Sequence, residues 1–205
     1  MATRCGDAAG PYARGVSSPS RRAHPSVWKI HGERVVDDTR RAHLSLATVE
    51  LPDGKVFEQY LLRTPPSATV VVLDDRDRVL LIWRHRFIID KWVWELPGGY
   101  VDPAEDPSDA AVRELFEETG WRTGSVEHIG SFQPWIGMAD SENHLYLARG
   151  AEYVSEPKDI NEAAAVEWLD LDEAVRRMDA GEIAGAGSII GLLKVQAMRR
   201  RERGA

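Results

Sequence analysis

The sequence predicts a mixed α/β (α+β) fold in which strands and helices surround a mixed sheet. The first half of the chain is patterned as short apolar runs separated by Pro, Gly and Asp turns. The second half adds further strands and three segments with helix start and stop signals. Strands and helices do not alternate regularly, so a doubly wound parallel sheet is not favoured.

Composition narrows the class of protein further. The 205 residues suit one domain with a small appendage. No stretch approaches the roughly 18 consecutive apolar residues of a membrane span, so we expect no integral membrane protein. The single cysteine, Cys5, excludes an intramolecular disulfide framework and fits a reducing compartment, so we expect a cytoplasmic protein. The net charge of −7 argues mildly against a broad nucleic-acid surface.

Changes in composition along the chain indicate its organisation. Residues 1–26 are rich in Ala, Gly, Ser, Pro and Arg and are predicted to form a disordered tail. Residues 27–63 are predicted to be a small N-terminal antiparallel β-domain. Residues 64–200 are predicted to form the main domain, and 201–205 a second tail.

The strand predictions rest on apolar runs bounded by turn residues. Residues 52–55, Pro-Asp-Gly-Lys, form a turn because Pro fixes φ and Gly accepts a positive φ. Residues 74–77 separate two apolar runs that we expect to pair as a hairpin. The predicted strands are 28–36, 43–51, 56–62, 68–73, 78–86, 92–96, 126–133, 143–148 and 164–169.

Three helices are predicted from capping residues and apolar spacing. The first spans 108–119, with Ser108 as the N-cap and Gly120 as the stop. The second spans 171–180 and the third 188–201, whose basic end suits the helix dipole.

The first predicted helix carries an unusual concentration of acid. Residues 102–118 hold seven acidic residues and one Arg. Glu114, Glu117 and Glu118 fall within an arc of about 100° on the helical wheel. Like charges at this spacing destabilise a helix slightly, unless a divalent cation lies among them. Oxygen ligands of this kind suit Mg²⁺ or Mn²⁺ rather than Zn²⁺. Taken alone, the acids could equally form a solvated face.

The wider spacing resembles the Nudix box, G-x5-E-x7-R-E-U-x-E-E-x-G-U, in which U is a bulky apolar residue. Leu115 fills the first U position, and Trp121 fills the second, where an aliphatic residue is commoner. The seven fixed positions are matched by Gly99, Glu105, Arg113, Glu114, Glu117, Glu118 and Gly120. Seven fixed residues at fixed spacing are far more specific than a lone glycine motif. The resemblance implies a Nudix-type α/β/α sandwich over about residues 27–200.

The resemblance also implies a reaction and roles for these residues. Nudix enzymes hydrolyse a nucleoside diphosphate linked to another moiety, with a divalent cation. By resemblance, Glu114 and Glu118 are direct metal ligands, and Glu117 binds through metal or water. The carbonyl near Gly98 is a further ligand. Arg113 and Glu105 brace the site, while Gly98 and Gly99 let backbone approach the phosphates.

Three segments resemble the ADP-ribose pyrophosphatase branch of the family. Residues 94–99, Trp-Glu-Leu-Pro-Gly-Gly, resemble its W-E-L-P-A-G segment, with Gly98 in place of Ala. Arg86 matches an arginine that contacts substrate phosphate, with Arg84 as a neighbouring candidate. The loop 137–142 resembles P-G-x-[ST]-x-E and makes Glu142 the candidate general base, although Ile136 replaces Pro and Glu142 falls one position late. A base drawn from the box is the alternative.

The branch further implies a homodimer in which residues 27–63 pack on the partner subunit. Trp28 is then a candidate for stacking on a purine, with a core or interface position as the alternative. The expected substrate is ADP-ribose or a related ADP-sugar, cleaved to AMP and a sugar phosphate. The rivals are a Nudix enzyme for (d)NTPs, GDP-sugars or NADH, and a nucleotide-sensing or nucleic-acid-binding protein that uses the basic chain ends.

Overall fold

The structure is a computed structural model that describes residues 27–157 and 163–204. The predicted tail at 1–26 lies outside these residues. The strands are β1 (Lys29–Asp37), β2 (His43–Glu50), β3 (Val56–Arg63), β4 (Ser67–Leu73), β5 (Arg78–Arg86), β6 (Lys91–Glu95), β7 (Gly98–Tyr100), β8 (Trp121–Arg122), β9 (Glu127–Phe132), β10 (Ala139–Asp140), β11 (Asn143–Arg149), β12 (Glu152–Tyr153) and β13 (Ala165–Asp170). The helices are α1 (Pro107–Thr119), α2 (Leu171–Asp179) and α3 (Ala186–Gly204).

A seven-stranded mixed sheet forms the centre of the molecule. Its main path has the order β13-β5-β4-β11-β9, and β6 and β7 extend it by pairing with β5 and β4. The β4–β11 pair is parallel, whereas β13–β5 and β11–β9 are antiparallel. The expected pairing of β4 with β5 is limited to Leu73 opposite Val79, because most of β4 pairs with β11 and β7 instead.

Helices cover both faces of this sheet. Side chains alternate along β4, so Val70 packs with Leu115 of α1 on one face. Val71 packs with Leu192 of α3 on the other, beside α2. All four side chains are fully buried. The α/β/α sandwich with a mixed sheet, which the sequence predicted, is therefore confirmed.

A second sheet is built by the N-terminal strands and one strand from far along the chain. β1, β2 and β3 are antiparallel, and β10 adds to β3 in parallel. The backbone of Leu62 donates to Met138 O at 3.0 Å, and Thr64 N donates to Asp140 O at 3.1 Å. The loop of residues 133–142 is thereby attached to the N-terminal sheet.

Two helix ends differ from the sequence prediction. Ser108 is not the N-cap of α1, because Pro107 at the first helical position moves the cap one residue upstream. Asp106 fills it and accepts from Ser108 N at 2.8 Å. Gly120 ends the helix in the left-handed conformation, as predicted, with φ of 74°.

The last helix is longer than predicted. It begins at Ala186 and runs to Gly204, so residues 201–204, which were predicted to be a tail, are helical. Arg199 and Arg203 in its last turns both pair with Asp77, in the turn between β4 and β5. In the described residues, no helix is long and apolar enough to cross a membrane.

Candidate active site

The carboxylates of α1 are positioned by how that helix packs. Ala110, Ala111 and Leu115 are fully buried against the sheet and fix the rotation of the helix. The helical period then directs Glu114 and Glu118 along the flank that meets β7. Both side chains line a cavity of about 450 Å³ at this end of the sheet.

Glu118 is held by two donors in a nearly closed environment. Its side chain is 2% exposed. Arg84 Nη1 donates to Oε1 at 2.7 Å, and Gly98 N donates to Oε2 at 2.8 Å. A buried carboxylate requires such partners, since burial without them is costly. Arg84 itself is only 13% exposed, so this pair is a buried ion pair.

The two glycines of β7 allow the backbone to pass very close to its neighbours. A Cβ on Gly98 would lie 2.8 Å from Thr69 Cα, and one on Gly99 would overlap the Glu114 carboxylate. Any side chain at these positions would displace β4 or Glu114. The close approach seen here is to protein, and the predicted approach of this backbone to phosphates stays a prediction.

Arg113 connects the box residues into one network. Its Nε and Nη2 donate to the two Glu105 oxygens at 2.8 and 2.9 Å. Its Nη1 donates to Glu114 at 2.7 Å and to Glu117 at 3.2 Å, and Nη2 also donates to Tyr100 O at 3.0 Å. The Glu105 hydrogen bonds raise the pKa of Arg113, and the same contact lowers the pKa of Glu105. Arg113 therefore fixes the loop before α1 against the helix.

The donor set suits a hard cation such as Mg²⁺ or Mn²⁺. Glu114, Glu118 and the backbone of Gly98 meet at the cavity and offer only oxygen ligands. Within residues 27–157 and 163–204, the side chains do not form a ready-made metal site. No three His, Cys, Asp or Glu residues are arranged so that they could hold one metal ion together. Arg84 and Arg113 instead hold Glu118 and Glu114. A carboxylate has about four acceptor sites, so each can keep its arginine and still offer an oxygen to a cation.

Arginine side chains line another part of the cavity. Arg86 forms an ion pair with Glu95. Its Nε donates to Glu95 Oε1 at 2.9 Å and to Oε2 at 3.0 Å, and its Nη2 donates to Oε2 at 2.5 Å. Arg84 lies beside it, so both predicted phosphate-binding arginines are in the cavity. A third, Arg41, comes from the connection between β1 and β2 and was not predicted. No local motif marks Arg41, because its position depends on packing between the two sheets.

The start of α3 and the start of β11 complete the cavity. Gly185, Gly187 and Ser188 lie at the α3 N-terminus, whose dipole favours an anion. Ser188 Oγ accepts from Leu96 N at 2.9 Å and so joins the helix to the box segment. Asn143 Oδ1 is buried and accepts no hydrogen bond from the described residues. This oxygen therefore keeps its acceptor capacity beside the cavity that Asn143 lines.

Four predicted site residues do not line the cavity: Arg113, Glu117, Glu142 and Trp28. Arg113 and Glu117 pair with each other on α1 beside it. Glu142 is 43% exposed, and its carboxylate lies 3.8 Å from His144 Nε2, whereas its neighbours Ser141 and Asn143 line the cavity. Trp28 packs edge-to-face on Phe57, with ring centroids 5.9 Å apart, and is 52% exposed on the N-terminal sheet. The roles of Glu142 as base and Trp28 as stacking residue stay predictions.

Comparison with known proteins supplies the family. Residues 63–186 match the model of the NUDIX domain. A CMP-5'-(N-acetyl-N-hydroxy-3-aminopropyl)phosphonate hydrolase from Streptomyces rubellomurinus is 48% identical over 168 residues, which are 82% of this chain and 82% of the relative. An ADP-ribose pyrophosphatase from Mycobacterium tuberculosis is 30% identical over 153 residues, 73% of this chain and 74% of the relative.

A solved structure shares the fold. The crystal structure of an ADP compounds hydrolase has a TM-score of 0.75 and 18% sequence identity, covering 85% of this chain and 95% of the other. Together with the domain match and the intact box on α1, these findings show that the chain belongs to the Nudix family and is a Nudix hydrolase.

Proposed function

We propose that the protein cleaves a P–O–P bridge between a nucleoside monophosphate and another moiety, with a divalent cation bound at Glu114 and Glu118. The observation that carries this proposal is the meeting of these two carboxylates with the Gly98-Gly99 backbone in a cavity that arginines also line. The carboxylates suit a divalent cation, and the arginines suit an anionic substrate. A cavity that holds both therefore suits an anionic substrate that binds together with a metal ion.

The chemistry assigns a task to each group. Glu114 and Glu118 would hold a divalent cation, which would offset the charge of the bridge, activate water and stabilise the leaving phosphate. Arg113 and Arg84 hold Glu114 and Glu118 in place before the cation arrives. Arg86 binds a phosphate oxygen of the substrate. Glu142 accepts the proton of the attacking water after its side chain turns into the cavity, and Glu117 is the alternative base.

Mg²⁺ is the proposed metal, with Mn²⁺ as the alternative, because all candidate ligands are oxygens. The test is to remove metal with a chelator and restore it ion by ion. Activity should return with Mg²⁺ or Mn²⁺. Full activity in the chelated enzyme would overturn the metal assignment.

ADP-ribose or a related ADP-sugar is the first proposed substrate, with AMP and a sugar phosphate as products. Support comes from the segment 94–99, from Arg86 at the matching position, and from the 30% identical ADP-ribose pyrophosphatase.

A CMP-linked phosphonate is the second candidate, with CMP and the free phosphonate as products. The relative that hydrolyses such a compound is 48% identical over most of both chains, well above the pyrophosphatase. The structure adds a reason to expect a changed pocket. Gly98 stands where the ADP-ribose branch usually has Ala, and a Cβ there would collide with β4.

A substrate panel separates the candidates. The enzyme would be incubated with ADP-ribose, CMP-linked 3-aminopropylphosphonate, dNTPs, a GDP-sugar and NADH, and the products separated by chromatography. The candidate with the highest kcat/KM identifies the substrate. Robust dNTP turnover with both leading compounds inert would overturn the proposed substrates. Inactivity on all of them, with salt-dependent nucleic-acid binding, would favour the binding-protein alternative.

We also propose a cytoplasmic homodimer in which residues 27–63 form a β-domain that packs on a partner subunit. The β1 strand supports this, since Ile30 and Val35 are more than half exposed on it. Light scattering would test the dimer, with Ile30→Lys expected to shift it to monomer. An unchanged molecular mass would show that β1 does not form the interface. Cell fractionation tests the compartment.

A further inference from the structure

Three guanidinium groups line the cavity, but they are engaged differently. Arg84 pairs with Glu118, and Arg86 pairs with Glu95. Arg41 forms no ion pair with any described residue, and its guanidinium lies over the aromatic ring of Tyr100. Arg41 alone among the three therefore meets an anionic ligand without giving up a carboxylate.

The contact with Tyr100 fixes where Arg41 lies. The Arg41 guanidinium carbon is 5.0 Å from the centroid of the Tyr100 ring. A cation over an aromatic face is attracted by the ring, and the ring does not consume the N–H donors at the edge of the guanidinium. The donors therefore remain available to a ligand in the cavity, which Arg41 lines.

Tyr100 also places Arg41 at the catalytic end of the cavity. It follows Gly99, at which an added Cβ would lie only 2.4 Å from the Glu114 carboxylate. Successive Cα atoms are about 3.8 Å apart, so the Tyr100 backbone is close to Glu114. Its carbonyl accepts from Arg113 at 3.0 Å, which ties it to the box network.

We propose that Arg41 is a substrate-binding residue that donates to a non-bridging oxygen of the phosphoryl or phosphonyl group, with Tyr100 as its platform. The inference rests on the proposed cleavage of a P–O–P bridge and deepens it. Arginine suits this role because its planar fork matches two oxygens of one phosphoryl group. The N-terminal sheet thereby contributes a binding residue to the active site of its own chain.

The kinetic test is Arg41→Gln, with Arg40→Gln as the matched control. Arg40 is the neighbouring exposed arginine, donates to Thr39 and does not line the cavity, so its loss removes the same charge. We expect Arg41→Gln to raise KM about tenfold or more, because one charged hydrogen bond to the substrate is lost. The value of kcat should change less than about twofold. Equal KM values for both variants would overturn the proposal.

A double-mutant cycle tests the platform. Tyr100→Leu should raise KM in the same direction as Arg41→Gln, and the two changes together should cost no more than Arg41→Gln alone. Fully additive effects would show that Tyr100 does not act through Arg41. Arg41→Lys should recover only part of the loss, since lysine keeps the charge but not the fork.

A binding measurement keeps this inference separate from the proposed reaction. Methylenediphosphonate has no P–O–P bridge to cleave, so calorimetry with it in excess Mg²⁺ reports binding alone. The parent and Arg40→Gln should bind it alike, and Arg41→Gln about tenfold more weakly. If the parent hydrolyses no substrate of the panel, the proposed function fails while this result still decides the role of Arg41. Equal binding by all three proteins would overturn that role.

Discussion

Helix α1 and the loop of residues 133–142 both bring acid to the same end of the sheet, but the protein holds them in opposite ways. Glu118 on α1 is almost completely buried and receives hydrogen bonds from Arg84 and from backbone. Glu142 at the end of the loop is 43% exposed, and its carboxylate lies 3.8 Å from His144 Nε2. One carboxylate is fixed before a ligand arrives, and the other is not.

The difference arises from the supports of the two regions. α1 is capped at both ends and packed by fully buried alanines, so its 3.6-residue period dictates where each carboxylate lies. The loop takes its position from β10, which pairs with β3, and from Gln59, whose side chain donates to Gly137 O at 2.6 Å. A metal ligand needs the first kind of support. A base that moves a proton and then resets suits the second.

The largest expected effect is that of Glu118→Gln. It removes a charged metal ligand, and we expect kcat to fall by more than about 100-fold, the upper range for residues that only support a ligand. It also replaces the carboxylate of the buried Arg84–Glu118 ion pair with a neutral amide, so the melting temperature should fall as well. Steady-state kinetics with a Mg²⁺ titration and a thermal melt measure both effects.

Glu127→Gln serves as the control for this change, since Glu127 is an exposed acid on β9. It should leave both kcat and the melting temperature unchanged. If Glu118→Gln turned over substrate as fast as the parent, Glu118 would not be a metal ligand. The contrast drawn between α1 and the loop would then not hold.

Glu142→Gln should have the next largest effect. A general base contributes about 10²–10⁴-fold, so we expect kcat to fall by about 100-fold. Since the side chain is well exposed, the melting temperature should not move, in contrast to Glu118→Gln. A fall in kcat of less than about threefold would indicate that Glu117, rather than Glu142, is the general base.

The same two regions show what a sequence can and cannot predict. Glu114 and Glu118 were predicted to share one helix flank because helical spacing is local information. Even there, the cap shifted from Ser108 to Asp106, since the choice between adjacent capping residues depended on Pro107. The β10–β3 pairing and the place of Arg41 were not predicted. Both depend on contacts between segments far apart in the chain, which no local pattern records.

Gln59→Leu probes the support of the loop. It removes the donor to Gly137 while keeping a side chain of similar size, so the loop should lose one hydrogen bond to the N-terminal sheet. Because misplacing a catalytic group lowers its efficiency, we expect a severalfold lower kcat with an unchanged Mg²⁺ requirement. Glu58→Gln, on the exposed side of β3, should not change kcat. Identical kcat values for the two variants would show that β10 pairing alone holds the loop.

Glu105→Gln tests the support of α1 through its pH dependence and should have the smallest effect. Hydrogen bonds from Arg113 lower the pKa of Glu105 below its ordinary value of 4.5. A group with a lowered pKa stabilises the folded protein fully above its unfolded pKa, and this stabilisation is lost as the pH falls through the folded pKa. At neutral pH, the free energy of unfolding of the parent should therefore exceed that of Glu105→Gln by about 1 kcal/mol. The difference is small because the Glu105–Arg113 pair is partly exposed to solvent. Below pH 4.5 the two denaturation midpoints should converge. A difference that stays constant from neutral to strongly acidic pH would mean that the Glu105 charge does not hold α1 in place.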